Sequence, residues 1–242
     1  MTAADVLDEK TTLANNLASV QQHILHAKSK FDAVQTVSLC VVSKAQSADR
    51  IRAVYEAGHT TFGENYLQEA LNKQEQLRDC AIAWHFIGPI QSNKTQPIAR
   101  HFDWVHSVDR LKIAQRLSDA RPPELPPLNI CLQVNISHET SKSGASGEEL
   151  LQLALSIKQL PHLHLRGLMA IPAPCEDFNA QRDQFRQVRQ LFEQLNQQGL
   201  LLDTLSIGMS GDFAAAIAEG STLVRIGTAI FGARPTRPPS TD

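Results

Sequence analysis

The chain has 242 residues, of which 42% are hydrophobic and 20% charged, enough length and apolar content for a full core and too much for a disordered chain. Its 23 Lys plus Arg against 25 Asp plus Glu leave a formal net charge of −2. That near-balance argues against a nucleic-acid-binding surface, which normally carries a basic excess.

In chain order, residues 11–28 place Leu13, Leu17, Val20, Ile24 and Leu25 at helical spacing, which predicts an amphipathic helix ahead of the first strand. The run Val37-Ser38-Leu39-Cys40-Val41-Val42-Ser43 follows. Its β-branched residues weigh against a helix, and its unbroken apolarity is the pattern of a strand buried on both faces. It is the first of eight strand-like segments, at 39–43, 60–63, 84–87, 104–106, 129–136, 165–171, 204–207 and 223–226. Helix-like segments lie between them near 49–57, 66–78, 93–101, 110–119, 147–159, 179–198 and 211–219. Ser47 with Asp49, and Ser146 with Glu148 and Glu149, are helix-start signals, while Gly58, Gly199 and Gly220 stand where a left-handed residue ends a helix.

Strict βα alternation implies a parallel sheet, and eight units within this length predict a closed (β/α)8 barrel. The expectation is one domain over 1–242, with a core at about 36–234, the N-terminal helix at about 11–28 and a frayed Pro-rich tail at 235–242. An open doubly wound sheet is the alternative, but it would usually have a Gly-rich turn after its first strand, where this chain has Ser43-Lys44-Ala45-Gln46. The Pro-rich stretch Arg121-Pro122-Pro123-Glu124-Leu125-Pro126-Pro127 reads as a loop before the fifth strand. Cys40, Cys80, Cys131 and Cys175 form no CxxC pair and no zinc spacing, and Cys40 and Cys131 fall inside predicted strands as small buried hydrophobes. A reducing cytoplasm is the expected setting; the start Met1-Thr2-Ala3-Ala4-Asp5 shows no secretory pattern, and no apolar run approaches a membrane span.

Three features converge on the carboxyl ends of the strands, where parallel α/β proteins place their chemistry. Lys44 ends strand one; such an amine can form a Schiff base with a carbonyl, although alone it also fits a lysine snorkelling into water. The loops after strands seven and eight, Gly208-Met209-Ser210-Gly211 and Gly227-Thr228-Ala229, offer backbone N–H groups and two hydroxyls to a phosphate, with Gly211-Asp212 opening a helix whose N-terminus attracts anions. Either loop alone could be a tight turn. Arg225, inside strand eight, is expected to point inward and donate to a ligand or a carboxylate; the alternative is a helix-facing arginine paired with a surface acid. An amine, an arginine and an anion cradle are the handles for an aldehyde, a ring nitrogen and a phosphate, all of which pyridoxal 5′-phosphate carries.

The chain resembles the pyridoxal phosphate homeostasis protein family, relatives of the barrel domain of bacterial alanine racemases. The resemblance spans about residues 36–234 and rests on several stretches: Val42-Ser43-Lys44, Phe62-Gly63-Glu64-Asn65-Tyr66, Trp84-His85-Phe86-Ile87-Gly88-Pro89, Ser141-Lys142-Ser143-Gly144, Arg166-Gly167-Leu168-Met169, Ser206-Ile207-Gly208-Met209-Ser210 and Val224-Arg225-Ile226-Gly227-Thr228-Ala229. One departure is Gly211, where the family usually has a polar residue. The resemblance implies that Lys44 forms the Schiff base with the cofactor, that Ser210, Gly227 and Thr228 bind the phosphate, and that Arg225 faces the pyridine nitrogen. It places Asn65 toward the ring hydroxyl, with His85 and Met169 either lining the pocket or filling the barrel.

Three functions fit: a protein that buffers or delivers the cofactor, a free-standing amino-acid racemase, and a Schiff-base aldolase on a phosphorylated sugar. The family's racemase relatives take their second base, a tyrosine, from an additional β-domain, which is not expected in this chain; Tyr66 and His85 are the candidates in its place. The aldolase does not explain Arg225. The carrier is therefore expected, as a cytoplasmic monomer that binds no nucleic acid, membrane or metal and whose partners are the cofactor and PLP-dependent apo-enzymes. Lys142 could take the aldehyde during loading or release, or be a solvated loop lysine, and His162 and His164 read as surface groups.

Overall fold

The computed structural model describes residues 3–136 and 147–232. Helix α1 (Ala3–Lys30) precedes β1 (Ser38–Val42), and the chain then alternates without exception. The order is α2 (Ala48–Glu56), β2 (Thr61–Glu64), α3 (Leu67–Gln76), β3 (Ala83–Phe86), α4 (Thr95–His101), β4 (Trp104–Val108), α5 (Leu111–Ala120) and β5 (Leu128–Gln133). It continues with α6 (Gly147–Lys158), β6 (Leu163–Met169), α7 (Phe178–Gln197), β7 (Thr204–Ser206), α8 (Phe213–Ala218), β8 (Leu223–Ile226) and α9 (Thr228–Phe231). The strands pair in chain order, all parallel, and β8 returns to β1 to close the barrel, with Cys40 opposite Arg225 and Val41 opposite Ile226. The expected (β/α)8 architecture is the observed one.

Outward strand residues such as Val41, Phe62, Phe86 and Val105 are buried against the helices, as are Ile113, Ala114 and Leu117 on α5. Each fully buried Leu, Ile or Phe of this layer is worth about 1.5–3 kcal/mol of transfer free energy. Ser47 caps α2 by accepting the N–H of Arg50, and Gly58, Gly199 and Gly220 adopt φ of 94°, 79° and 94°. Ser146, the other start signal, lies outside the described residues.

Helix α1 packs across α2, α8 and α9, straddling the seam where β8 meets β1. Its buried stripe is Leu13, Leu17, Val20, Ile24 and Ala27, whereas Leu25, expected on that face, is 57% exposed. The correction is geometric: successive helical residues lie about 100° apart, so Leu25 cannot share a face centred on Ile24. The Asn16 amide donates to the Ile230 carbonyl at 2.9 Å and ties α1 to α9. Glu219, buried at the end of α8, receives Arg182 at 2.7 Å and Arg186 at 3.0 Å from α7, fixing the helix that follows the loop after β7.

Candidate functional site

The carboxyl ends of β1, β2, β7 and β8 surround a cavity of about 270 Å³, lined by Val42, Lys44, Gln46, Asn65, Ile87, Ile171, Met209, Ser210, Gly211, Arg225, Gly227, Thr228 and Gly232. All six residues expected at the site, Lys44, Asn65, Ser210, Arg225, Gly227 and Thr228, therefore face one space. Lys44 stands two residues beyond the end of β1 and is half-buried, while Ser210 and Thr228 stand exposed at the mouth. Lys142 lies outside the described residues.

Backbone approach shapes two walls. A Cβ on Gly88 would lie 2.1 Å from the Asn65 carbonyl oxygen, so only glycine lets the turn after β3 pack against the loop that carries Asn65. A Cβ on Gly227 would lie 2.7 Å from the Val42 carbonyl oxygen, so glycine there brings the loop after β8 against the end of β1. The side-chain oxygen Oδ1 of Asn65 is buried and has no hydrogen-bond partner, leaving an acceptor at the cavity wall.

Arg225 points into the barrel and is 4% exposed. Its guanidinium donates to the Ser206 hydroxyl at 2.7 Å, to the Ser206 carbonyl and to the Ala170 carbonyl at 3.1 Å. The inward expectation holds, but the hydrogen-bond partners are neutral oxygens rather than a carboxylate. Burial lowers its pKa from the usual arginine value, while the nearby Cys40, Asp212 and Cys131 favour the charged form. The helix after this loop begins at Phe213, with Asp212 as its N-cap; the Asp212 carboxylate accepts the Met209 N–H at 2.5 Å. That helix start therefore carries a carboxylate beside it, while the Ser210 hydroxyl stands exposed at the cavity.

Behind Arg225 runs a buried chain that sequence reasoning did not assemble. Ser206 Oγ lies 2.7 Å from His106 Nδ1, and His106 Nε2 lies 2.9 Å from His85 Nδ1. Arginine can only donate, so the network is satisfied when Ser206 passes its proton bond to His106 and His106 donates in turn to His85. Burial pushes His85 down to about 3 and His106 well below the ordinary histidine value, so both rings are neutral. His85 and Met169 prove to be buried on their strands and are absent from the cavity lining. Tyr66 is 61% exposed and also absent from the lining. Burial pushes the Cys40 and Cys131 thiols up to about 12, which makes them inert packing groups.

Gln46 was also unforeseen. It is buried at the cavity wall, and its side-chain carbonyl accepts from the Arg50 guanidinium, which also donates to the Phe231 carbonyl at 2.7 Å. With its oxygen engaged, its amide N–H groups remain for the cavity. Among the described residues no group of three His, Cys, Asp or Glu side chains could hold a metal ion, and no helix is long and apolar enough to cross a membrane.

Fold and site together define a parallel eight-stranded barrel that gathers a lysine, an arginine and a glycine- and hydroxyl-bearing pair of loops at one end. Residues 11–235 match the family described as the alanine racemase N-terminal domain, and the chain belongs to that family, among the pyridoxal phosphate homeostasis proteins. A relative of that name from Pseudomonas aeruginosa is 59% identical over 225 residues, covering 93% of this chain and 96% of its own length. The structure of PipY from Synechococcus elongatus with PLP bound superposes with a TM-score of 0.80 at 36% identity, covering 91% of this chain and all of that one. An alanine racemase from Clostridium difficile shares the fold, with a TM-score of 0.73 at 14% identity, covering 95% of this chain and 61% of the racemase.

Proposed function

We propose that this chain binds pyridoxal 5′-phosphate at the cavity below Lys44 and serves its intracellular homeostasis, buffering or delivering the cofactor without a catalytic cycle of its own. The observation that carries this is the convergence of Lys44, Arg225, Ser210, Gly227 and Thr228 on one cavity. The residues present fit the group: Asn65 Oδ1 is a buried acceptor with no internal partner at the cavity wall, and Ser210 and Thr228 add hydroxyl donors at its mouth. When bound, the cofactor supplies an electrophilic aldehyde, a pyridine nitrogen and a phosphate. Lys44 would hold the aldehyde end through its amine. Ser210, Thr228 and the Gly227 N–H would donate to the phosphate, and Asn65 would take the ring hydroxyl side. Arg225, which can only donate, would face the ring nitrogen and favour its unprotonated form, a weaker electron sink.

Racemisation needs an acid–base group on each face of the substrate carbon. Among the described residues lining the cavity, Lys44 is joined by no Asp, Glu, His, Tyr or Cys. Exposed Ser210 and Thr228 leave the mouth open to solvent, which favours exchange of the ligand over sequestered chemistry. In this reading the protein works in the cytoplasm as a monomeric one-domain barrel whose recipients are PLP-dependent apo-enzymes. The test is exchange of the α-hydrogen of L- and D-amino acids with deuterium oxide, catalysed by the PLP-loaded protein. The carrier reading expects no more than a trace. Turnover of about 1 s⁻¹ or faster, typical of enzymes, would overturn it in favour of the racemase.

A further inference from the structure

The backbone on both sides of Lys44 is tied to one partly buried charge cluster. Lys73 of α3, 5% exposed, donates to the Ser43 carbonyl at 2.8 Å, to Glu64 Oε1 at 2.7 Å and to Glu69 Oε1 at 2.5 Å. The same Glu69 oxygen accepts the Ala45 N–H at 2.6 Å, and the Ser43 hydroxyl donates to Glu64 Oε1 at 2.6 Å. Ser43 and Ala45 are the immediate neighbours of Lys44. Ala45 has φ of 62°, a left-handed conformation that a residue with a Cβ disfavours. The turn is therefore not the one its own sterics would choose; the Gln46 N–H closes it on the Ser43 carbonyl at 3.0 Å, and the Glu69 bond to the Ala45 N–H secures it from α3. Burying the Glu64 carboxylate and the Lys73 ammonium between β2 and α3 is an expensive way to gain stability, since apolar residues of similar volume usually serve as well.

We propose that Lys73, Glu64 and Glu69 are positioning residues that hold the 43–45 turn so that the Lys44 amine reaches the ligand aldehyde in the cavity. This rests on the reading of Lys44 as the attachment point. It separates the two halves of binding. The phosphate and ring partners Ser210, Arg225, Gly227 and Thr228 come from the β7 and β8 side, and none of them bonds to the cluster. Disturbing the cluster should therefore slow covalent attachment and spare non-covalent binding.

The variant of choice is Glu69→Ala, because the Glu69 side chain is 32% exposed and its loss leaves the Lys73–Glu64 pair in place. Attachment is followed by borohydride trapping of PLP, and non-covalent binding by titration with pyridoxine 5′-phosphate, which has an alcohol in place of the aldehyde. The expected result is an attachment rate lower by about fivefold, the population factor for a left-handed residue that loses its support. Pyridoxine 5′-phosphate affinity should stay within about twofold, and adding Ala45→Gly, which accepts this φ without steric cost, should recover most of the rate. Lys73→Met should shift attachment in the same direction. A wild-type rate in Glu69→Ala, a parallel loss of both ligands, or no recovery with Ala45→Gly each overturns the inference. Wild-type protein that carries no trapped label at Lys44 would instead overturn the reading of the site on which it rests.

Discussion

Replacing Ser210 by Ala and Thr228 by Val, singly and together, removes two hydroxyls from the cavity mouth while keeping side-chain shape nearly constant. Both stand in water in the ligand-free molecule, so binding exchanges a water bond for a phosphate bond at each. The lower end of the range for hydrogen bonds to charged groups then applies, about 1.5 kcal/mol each. That is roughly tenfold in affinity per hydroxyl and up to roughly 100-fold for the pair, less if the two couple. Neither hydroxyl is expected to touch the ring or the aldehyde, so pyridoxal, which lacks the phosphate, should bind within about twofold of wild type, well below the tenfold step above. Absorbance titrations of PLP and pyridoxal against the four proteins measure both quantities. An equal loss for the two ligands would refute the phosphate assignment and show that the hydroxyls serve the fold or the ring.

Gly227→Ala should weaken PLP by more than about tenfold and cost about 1–3 kcal/mol of stability, because its Cβ would lie 2.7 Å from the Val42 carbonyl oxygen and force the loop off β1; wild-type affinity and melting temperature would contradict this. Stability should fall as pH drops below about 6.5, because His106 and His85 have depressed pKa values in the folded state and the unfolded chain binds the extra protons. His85, pushed down to about 3, contributes about 2 kcal/mol of that loss by pH 5, and His106 adds to it in the same direction. Denaturant titrations of wild type and His106→Asn from about pH 7 to pH 5 check it, with a shallower pH dependence expected in the variant and identical slopes contradicting it.

The barrel was legible because its strands are apolar runs bounded by turns and its helices carry a buried stripe, both local patterns that a single sequence displays. The short α9 (Thr228–Phe231) was not, since four residues hold barely one turn and show no period. Lys44, Ser210, Arg225 and Thr228 could be read because strand ends are where a parallel barrel presents side chains, so position in the sequence implied position in space. What stayed hidden depends on contacts between distant segments. Lys73 looks like an ordinary helix lysine four residues after Glu69, and nothing local shows that it reaches Glu64 and the Ser43 carbonyl. The Ser206–His106–His85 chain crosses the barrel interior from β7 to β4 and β3, and it exists only once the strand registers are set. Irregularities in register between Val105 and Val108, and between Ile130 and Cys131, were equally invisible to an alternation pattern.

Borohydride reduction of the protein loaded with PLP, followed by peptide mapping and repeated on Lys44→Ala, asks whether the amine at the end of β1 holds the cofactor. The expected result is a single pyridoxyl label on Lys44 in wild type, lost in Lys44→Ala while the variant stays folded, because Lys44 is half-buried at a strand end and belongs to no part of the hydrophobic core. A label found mainly on Lys142 or another lysine of the wild-type protein, or a label undiminished in Lys44→Ala, would contradict it.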